Sequence, residues 1–87
     1  MTSANNFMTL DQLKDGDQAI IQHYSGGSEI QGRLKELGLV RGTRITVLRF
    51  APLGDPMEIQ VRGYNLAIRK KDAVCISVKL TTGKKSS

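Results

Sequence analysis

The amino-acid sequence predicts a mainly β fold, a small five-stranded barrel with one short α-helix between its first and second strands. Three observations support this prediction. The chain has only 87 residues, which indicates one domain with a thin core. Apolar residues alternate with a period of two in five short runs, and follow the helical period in one run only. Curling five short strands into a barrel removes edges that a flat sheet would expose.

The domain is expected to span residues 9–80, between a flexible N-terminus at residues 1–8 and a flexible basic tail at residues 81–87. The N-terminus lacks the basic and apolar stretches of a signal peptide. No apolar run approaches the roughly 18 residues that a membrane helix needs. The single cysteine, Cys75, has no partner in the chain for a disulfide. These features predict a cytoplasmic protein.

The first half of the domain is predicted to hold one strand and the helix. Residues 9–12 have capping-box spacing and predict a single helical turn, and residues 18–24 predict the first strand. Residues 28–31 form a second capping-box pattern at the start of the helix. Gly38 is expected to end the helix, with Leu39 folding back in a Schellman motif. The apolar face of the helix is predicted to contain Ile30, Leu34 and Leu37.

The second half of the domain is predicted to be strands alone. After Gly42 the apolar period changes to two. A hairpin turn at residues 63–64 and a polar corner at residues 70–73, expected to be a single 3₁₀ turn, separate the later strands. The alternating side chains expected to face the core are Ile45, Val47, Met57, Ile59, Val61, Leu66, Ile68, Val74, Ile76, Val78 and Leu80.

The loop at residues 51–56 joins the second and third strands and contains both prolines of the chain, Pro52 and Pro56. The prolines fix φ and stiffen the loop, and Gly54 can supply a positive φ. Leu53 stands between them. It either caps one end of the barrel or points toward another protein. A stiff loop with an apolar tip favours docking, since a two-residue turn would close the hairpin more simply.

The charge of the chain is uneven. Residues 1–32 hold one basic and four acidic residues, a net charge of −3, whereas residues 33–87 hold twelve basic and four acidic residues, a net charge of +8. Such asymmetry is typical of proteins that bind an acidic partner, a nucleic acid or a membrane surface, and it also serves solubility.

No catalytic or metal-binding pattern is evident. His23 is the only histidine and Cys75 the only thiol, and they lie far apart in the sequence. A tight transition-metal site needs three or four closely spaced ligands. Residues 26–28 could hold an anion before the helix but lack the lysine of a phosphate-binding loop. We therefore expect no enzymatic activity, no cofactor and no functional metal site.

Three segments together resemble the FeoA family. They are LKELGLVRGTRI at residues 34–45, APLGDP at residues 51–56 and LAIR at residues 66–69. The resemblance covers roughly residues 9–80. It implies a small cytosolic SH3-like barrel that binds FeoB, a membrane ferrous-iron transporter with a cytosolic GTP-binding domain, and supports or regulates iron transport. It also implies an indirect association with the membrane. Whether such a protein activates, assembles or inhibits the transporter is left open, as is its oligomeric state.

The predicted docking surface combines the end of the helix, the stiff loop and two arginines. Arg62 and Arg69 flank one hairpin and are expected to be neighbours, with either Glu58 or a partner between them. The residues assigned to this surface are Leu37, Leu39, Pro52, Leu53, Gly54, Asp55, Pro56, Arg62 and Arg69.

Two alternative functions follow from the residues. Small basic barrels bind nucleic acids through exposed aromatic rings, and Phe50 and Tyr64 are the only candidates outside the N-terminal half. Because two candidate rings are weak evidence for base stacking, we do not expect a nucleic-acid partner. A metal-responsive module using His23 and Cys75 is the other alternative.

Overall fold

The computed structural model describes residues 7–81 and confirms the mainly β class. A 3₁₀ turn at Leu10–Gln12 follows the first strand. Within residues 7–81, no helix has the length and apolar character needed to span a membrane. The strands are β1 (Phe7–Thr9), β2 (Gln18–Tyr24), β3 (Arg44–Phe50), β4 (Met57–Val61), β5 (Tyr64–Ile68) and β6 (Ile76–Leu80), and the helices are α1 (Ser28–Glu36) and α2 (Lys70–Ala73).

The strands form one antiparallel sheet in the order β1-β6-β2-β3-β4-β5. The strand count is therefore six rather than five, because Phe7–Thr9 pairs with β6. The predicted loose start is wrong for residues 7 and 8, which belong to this strand. The rest of the predicted flexible ends, residues 1–6 and 82–87, lies outside the described residues. Register shifts between β2 and β6 and between β3 and β4 help the sheet to curl.

The core fills the concave side of the curled sheet. One departure from the predicted alternation concerns Val74, whose side chain is exposed rather than buried. Val74 ends α2, and its amide bonds to the Lys70 carbonyl, so the last strand begins only at Ile76. The buried apolar side chains are Leu10, Leu13, Ala19, Ile21, Leu34, Leu39, Ile45, Val47, Met57, Ile59, Val61, Ile68, Ala73, Ile76 and Val78.

The start of α1 differs from the predicted capping box. Ser28 is already the first helical residue and Gly27 is the N-cap, which has no side chain to bond the helix. The Gln31 side-chain amide instead donates to the Gly26 carbonyl at 2.9 Å.

The end of α1 confirms the predicted Schellman motif. The Leu39 amide donates to the Leu34 carbonyl at 3.0 Å, and the Gly38 amide to the Lys35 carbonyl at 2.9 Å. Gly38 has a φ of +87°, which a side chain disfavours. The motif turns the Leu39 side chain into the core, where it is completely buried. The prediction that Leu39 belongs to the docking surface is therefore wrong.

Replacing Leu39 by Ala should test this placement. Leu39→Ala should lower the free energy of unfolding by about 2–5 kcal/mol, because it leaves a cavity in a closely packed core. Leu37→Ala is the matched control and should cost clearly less, since Leu37 is only half-buried. Chemical denaturation followed by circular dichroism measures both. Equal losses for the two variants would contradict the burial of Leu39.

Candidate functional site

The loop between β3 and β4 is closed by backbone hydrogen bonds. The Ala51 amide donates to the Pro56 carbonyl at 2.9 Å, and the Gly54 amide donates to the Ala51 carbonyl at 2.7 Å. Gly54 has a φ of +88°, as its place between the prolines predicts. These backbone hydrogen bonds make the loop a compact turn rather than an extended loop.

The side chain of Asp55 ties this loop to α2. Its Oδ1 accepts a hydrogen bond from the Lys70 amide at 2.9 Å. Lys70 is the first residue of α2, and the N-cap residue Arg69 supplies no side-chain cap of its own. The Asp55 carboxylate therefore caps α2 from a different segment, and its charge suits the positive end of that helix. Asp55, predicted as a docking residue, has a structural role.

Leu53 stands at the tip of the loop, and its side chain is 95% exposed. The other large apolar residues found exposed within residues 7–81 are Tyr64 and Val74, which are less than half exposed. The question left open by the sequence is thereby decided, because Leu53 points into solvent and not into the core. Burying such a side chain against a partner stabilises a complex by about 1.5–3 kcal/mol.

A cleft of about 190 Å³ lies beside the loop. The apolar side chains of Phe50 and Met57 line it, together with Gly54 of the loop and the charged residues Asp11 and Lys70. Sequence reasoning missed this cleft, since its lining comes from three separate segments that only the fold brings together. A protruding leucine next to a partly apolar cleft has the form of a protein-docking surface.

The two predicted docking arginines lie at opposite ends of the β4–β5 hairpin. The turn consists of Arg62 and Gly63, with φ values of +49° and +89°, and not of residues 63–64 as predicted. Arg69 follows β5 at the far end, next to the loop. Since each strand has five residues, the two arginines are about 17 Å apart, so the prediction that they are neighbours is wrong. Glu58 forms an ion pair with Arg49 instead, at 2.8 Å.

Leu37 also lies away from the loop, near the hairpin turn. The Tyr64 hydroxyl donates a hydrogen bond to the Leu37 carbonyl at the end of α1. This bond joins the helix to β5, and nothing in the local sequence pattern indicates it. The predicted docking residues thus separate into the 52–56 loop with Arg69 at one end, and Leu37 with Arg62 at the other.

The candidates for catalysis or metal binding do not form a cluster. Within residues 7–81, no group of three histidine, cysteine or acidic side chains is close enough to hold a metal ion. His23 is exposed on β2. The Cys75 thiol lies under Gly26 and donates to the Lys71 carbonyl at 3.7 Å. Burial raises the pKa of the Tyr24 hydroxyl above its usual value. The residues at positions 7–81 therefore give no indication of a catalytic or metal-binding site.

Comparison with known proteins identifies the domain. A model of the FeoA domain matches residues 8–80. The chain belongs to the FeoA family. FeoA domains are non-enzymatic accessory domains, so family membership confirms the expectation that this domain has no enzymatic activity.

One relative joins such a domain to a transporter. A protein of Porphyromonas gingivalis described as a fusion of Fe(2+) transport protein A and the Fe(2+) transporter FeoB is 39% identical over 80 residues. The match covers 92% of this chain and 10% of the fusion protein, so this chain spans about a tenth of that relative's length.

Solved structures of FeoA proteins share the fold. The NMR structure of a FeoA-like protein from Clostridium acetobutylicum has a TM-score of 0.85 and 28% identity, and covers 100% of this chain and 98% of its own. The crystal structure of Stenotrophomonas maltophilia FeoA, described as a prokaryotic SH3 domain protein complexed with zinc, has a TM-score of 0.71 and 29% identity, over 83% of this chain and 89% of its own. The SH3-like fold of this FeoA domain is thereby confirmed.

Removing the Asp55 carboxylate should loosen the loop from α2. Asp55→Ala should accelerate hydrogen exchange at the Lys70 amide and lower the free energy of unfolding by about 1 kcal/mol, as the loss of a helix cap does. Asp55→Asn keeps an acceptor oxygen and is the matched control, with a smaller effect on both quantities. Unchanged Lys70 exchange in Asp55→Ala, measured by NMR, would show that the carboxylate does not cap α2.

Proposed function

We propose that this protein is an accessory of ferrous-iron uptake that docks on the cytosolic part of a FeoB-type transporter. Docking takes place through Leu53 and the cleft beside its loop. The observation that carries this proposal is the almost complete exposure of Leu53 on a loop fixed by three hydrogen bonds. An exposed leucine on a rigid support gains stability only when a partner covers it.

The fusion protein of P. gingivalis supports the choice of partner. Joining two modules in one chain raises the effective concentration of each for the other, which is useful only where the two bind. A cytoplasmic location and an indirect association with the membrane follow from this proposal.

The rigidity of the loop favours a stable complex. Binding usually costs free energy because loops and side chains lose conformational freedom. The bonds from Ala51 to Pro56 and from Lys70 to Asp55 already fix this loop in the free protein. Docking then shifts the equilibrium between two conformations of the transporter if these conformations offer different contacts to Leu53.

The structure gives the nucleic-acid alternative little support. Stacking on bases needs aromatic rings with free faces. Phe50 packs partly buried against the core, and the Tyr64 ring is less than half exposed and is held through its hydroxyl to the end of α1. The exposed cations beside the loop, Arg69, Lys70 and Lys71, suit an acidic protein surface instead.

Substitutions at Leu53 should test the proposal. Leu53→Asp and Leu53→Asn should each weaken binding to the cytosolic part of the transporter by about 10-fold or more, because both remove the apolar contact. Leu53→Met keeps an apolar side chain and should bind within about threefold of the unmodified protein. Biolayer interferometry with immobilised transporter domain gives the dissociation constants. Equal binding by the Asp, Asn and Met variants would remove Leu53 from the interface.

A further inference from the structure

The strand β5 is an edge of the sheet with an exposed outer side. Its pairing with β4 begins at Tyr64 opposite Val61, across a two-residue turn. In such a hairpin alternate residues bond to the neighbouring strand, so Asn65 and Ala67 direct their amide and carbonyl groups away from β4. Both residues are exposed, and among residues 7–81 no other strand pairs with this side of β5. The edge thus offers an unoccupied row of backbone donors and acceptors.

The exposed charges at the two ends of this edge are positive, and among residues 7–81 none of these cations forms an ion pair with an acidic side chain. Arg62 precedes the strand, and Arg69, Lys70 and Lys71 follow it, all exposed. The acidic side chains nearby are already engaged in other contacts within the domain. Asp55 accepts from the Lys70 amide, Glu58 pairs with Arg49, and Asp72 pairs with Arg33.

A second cleft adjoins the same edge on the outer face of the sheet. It has a volume of about 200 Å³ and is open at Ala67, whose small side chain leaves room above the strand. A strand added beside β5 would place one side chain next to Ala67 and within reach of this cleft. Its lining residues are Arg49, Ala51, Pro56, Met57, Glu58 and Ala67.

We propose that the outer edge of β5 binds an extended acidic segment of a partner protein by strand addition. The backbone of the segment pairs with Asn65 and Ala67, its carboxylates meet Arg62 and Arg69, and one apolar side chain enters the cleft. This surface shares Ala51 and Pro56 with the 51–56 loop but does not include Leu53 at its tip. The inference does not depend on which protein carries the segment, so it stands or falls separately from the proposed transporter partner.

A second copy of this chain suits the edge less well than an acidic segment does. Two β5 strands paired antiparallel and centred on Leu66 would place Arg62 of one copy opposite Lys70 of the other. Like charges in opposite positions destabilise a strand pair. The charge pattern therefore works against self-association and favours a negatively charged strand.

The experiment uses the full-length protein labelled with ¹⁵N and a capped peptide probe of sequence Glu-Thr-Glu-Val-Glu-Thr-Glu. The matched control probe replaces each Glu by Lys. The acidic peptide should shift the amide signals of Asn65 and Ala67, slow their hydrogen exchange, and bind more weakly as salt is added. The lysine peptide should leave these signals unchanged.

Two variants separate strand pairing from simple charge attraction. Ala67→Pro removes one outward amide that β4 does not use, so the fold should persist and binding should fall by about 10-fold. Ala67→Ser keeps the amide and should bind like the unmodified chain. Arg62→Ser combined with Arg69→Ser leaves the backbone intact and should reduce binding severalfold.

Several results would overturn the proposal. They are equal binding by the Ala67→Pro and Ala67→Ser variants, signal changes confined to the 51–56 loop, equal binding of the lysine peptide, and no binding at roughly millimolar acidic peptide. Self-association of the free chain through this edge, seen by sedimentation, would also overturn it. If Ala67→Pro does not fold, exchange protection of Asn65 and Ala67 in the unmodified protein decides the question.

Discussion

The hydrogen bond from the Lys70 amide to the Asp55 carboxylate fixes where the loop between β3 and β4 stands. It satisfies the start of α2, which has no cap of its own, and holds the loop to that helix. With the loop held in this way, Leu53 remains in solvent and the cleft beside Gly54 stays open. The proposed docking of a transporter depends on this arrangement, because a loop that collapsed on the core would offer neither feature.

Local patterns in the sequence were sufficient for much of the fold. Alternation of apolar residues located most of the core positions of β3, β4 and β6, since a half-buried strand needs a period of two. The Schellman motif at Gly38 was also predictable, because the backbone there needs a positive φ and the following residue returns to the helix. The stiff loop with Gly54 at its turn followed from the two prolines. These features share one property, which is that their physical cause lies within a few residues of the chain.

The errors arose where distant segments decide the structure. The short strand at Phe7–Thr9 exists because β6 offers it a free edge. The hairpin register places Arg62 in the turn rather than at the end of β4, although either of two adjacent turns fitted the sequence. The assignment of Leu39 to the docking surface conflicted with the predicted Schellman motif, which turns this side chain into the core. The sequence also could not show which cations beside β5 stay unpaired. That depends on the acidic side chains, which make other contacts in the folded domain.

The central claim is that Leu53 itself is covered when this FeoA domain meets its transporter. The most direct measurement follows the methyl signals of the leucines, selectively ¹³C-labelled, while the unlabelled cytosolic part of a FeoB-type transporter is added. We predict that the Leu53 methyl signals change most, and that those of the buried Leu34 remain close to their free positions. Unchanged Leu53 signals together with clear changes at other leucines would contradict the account.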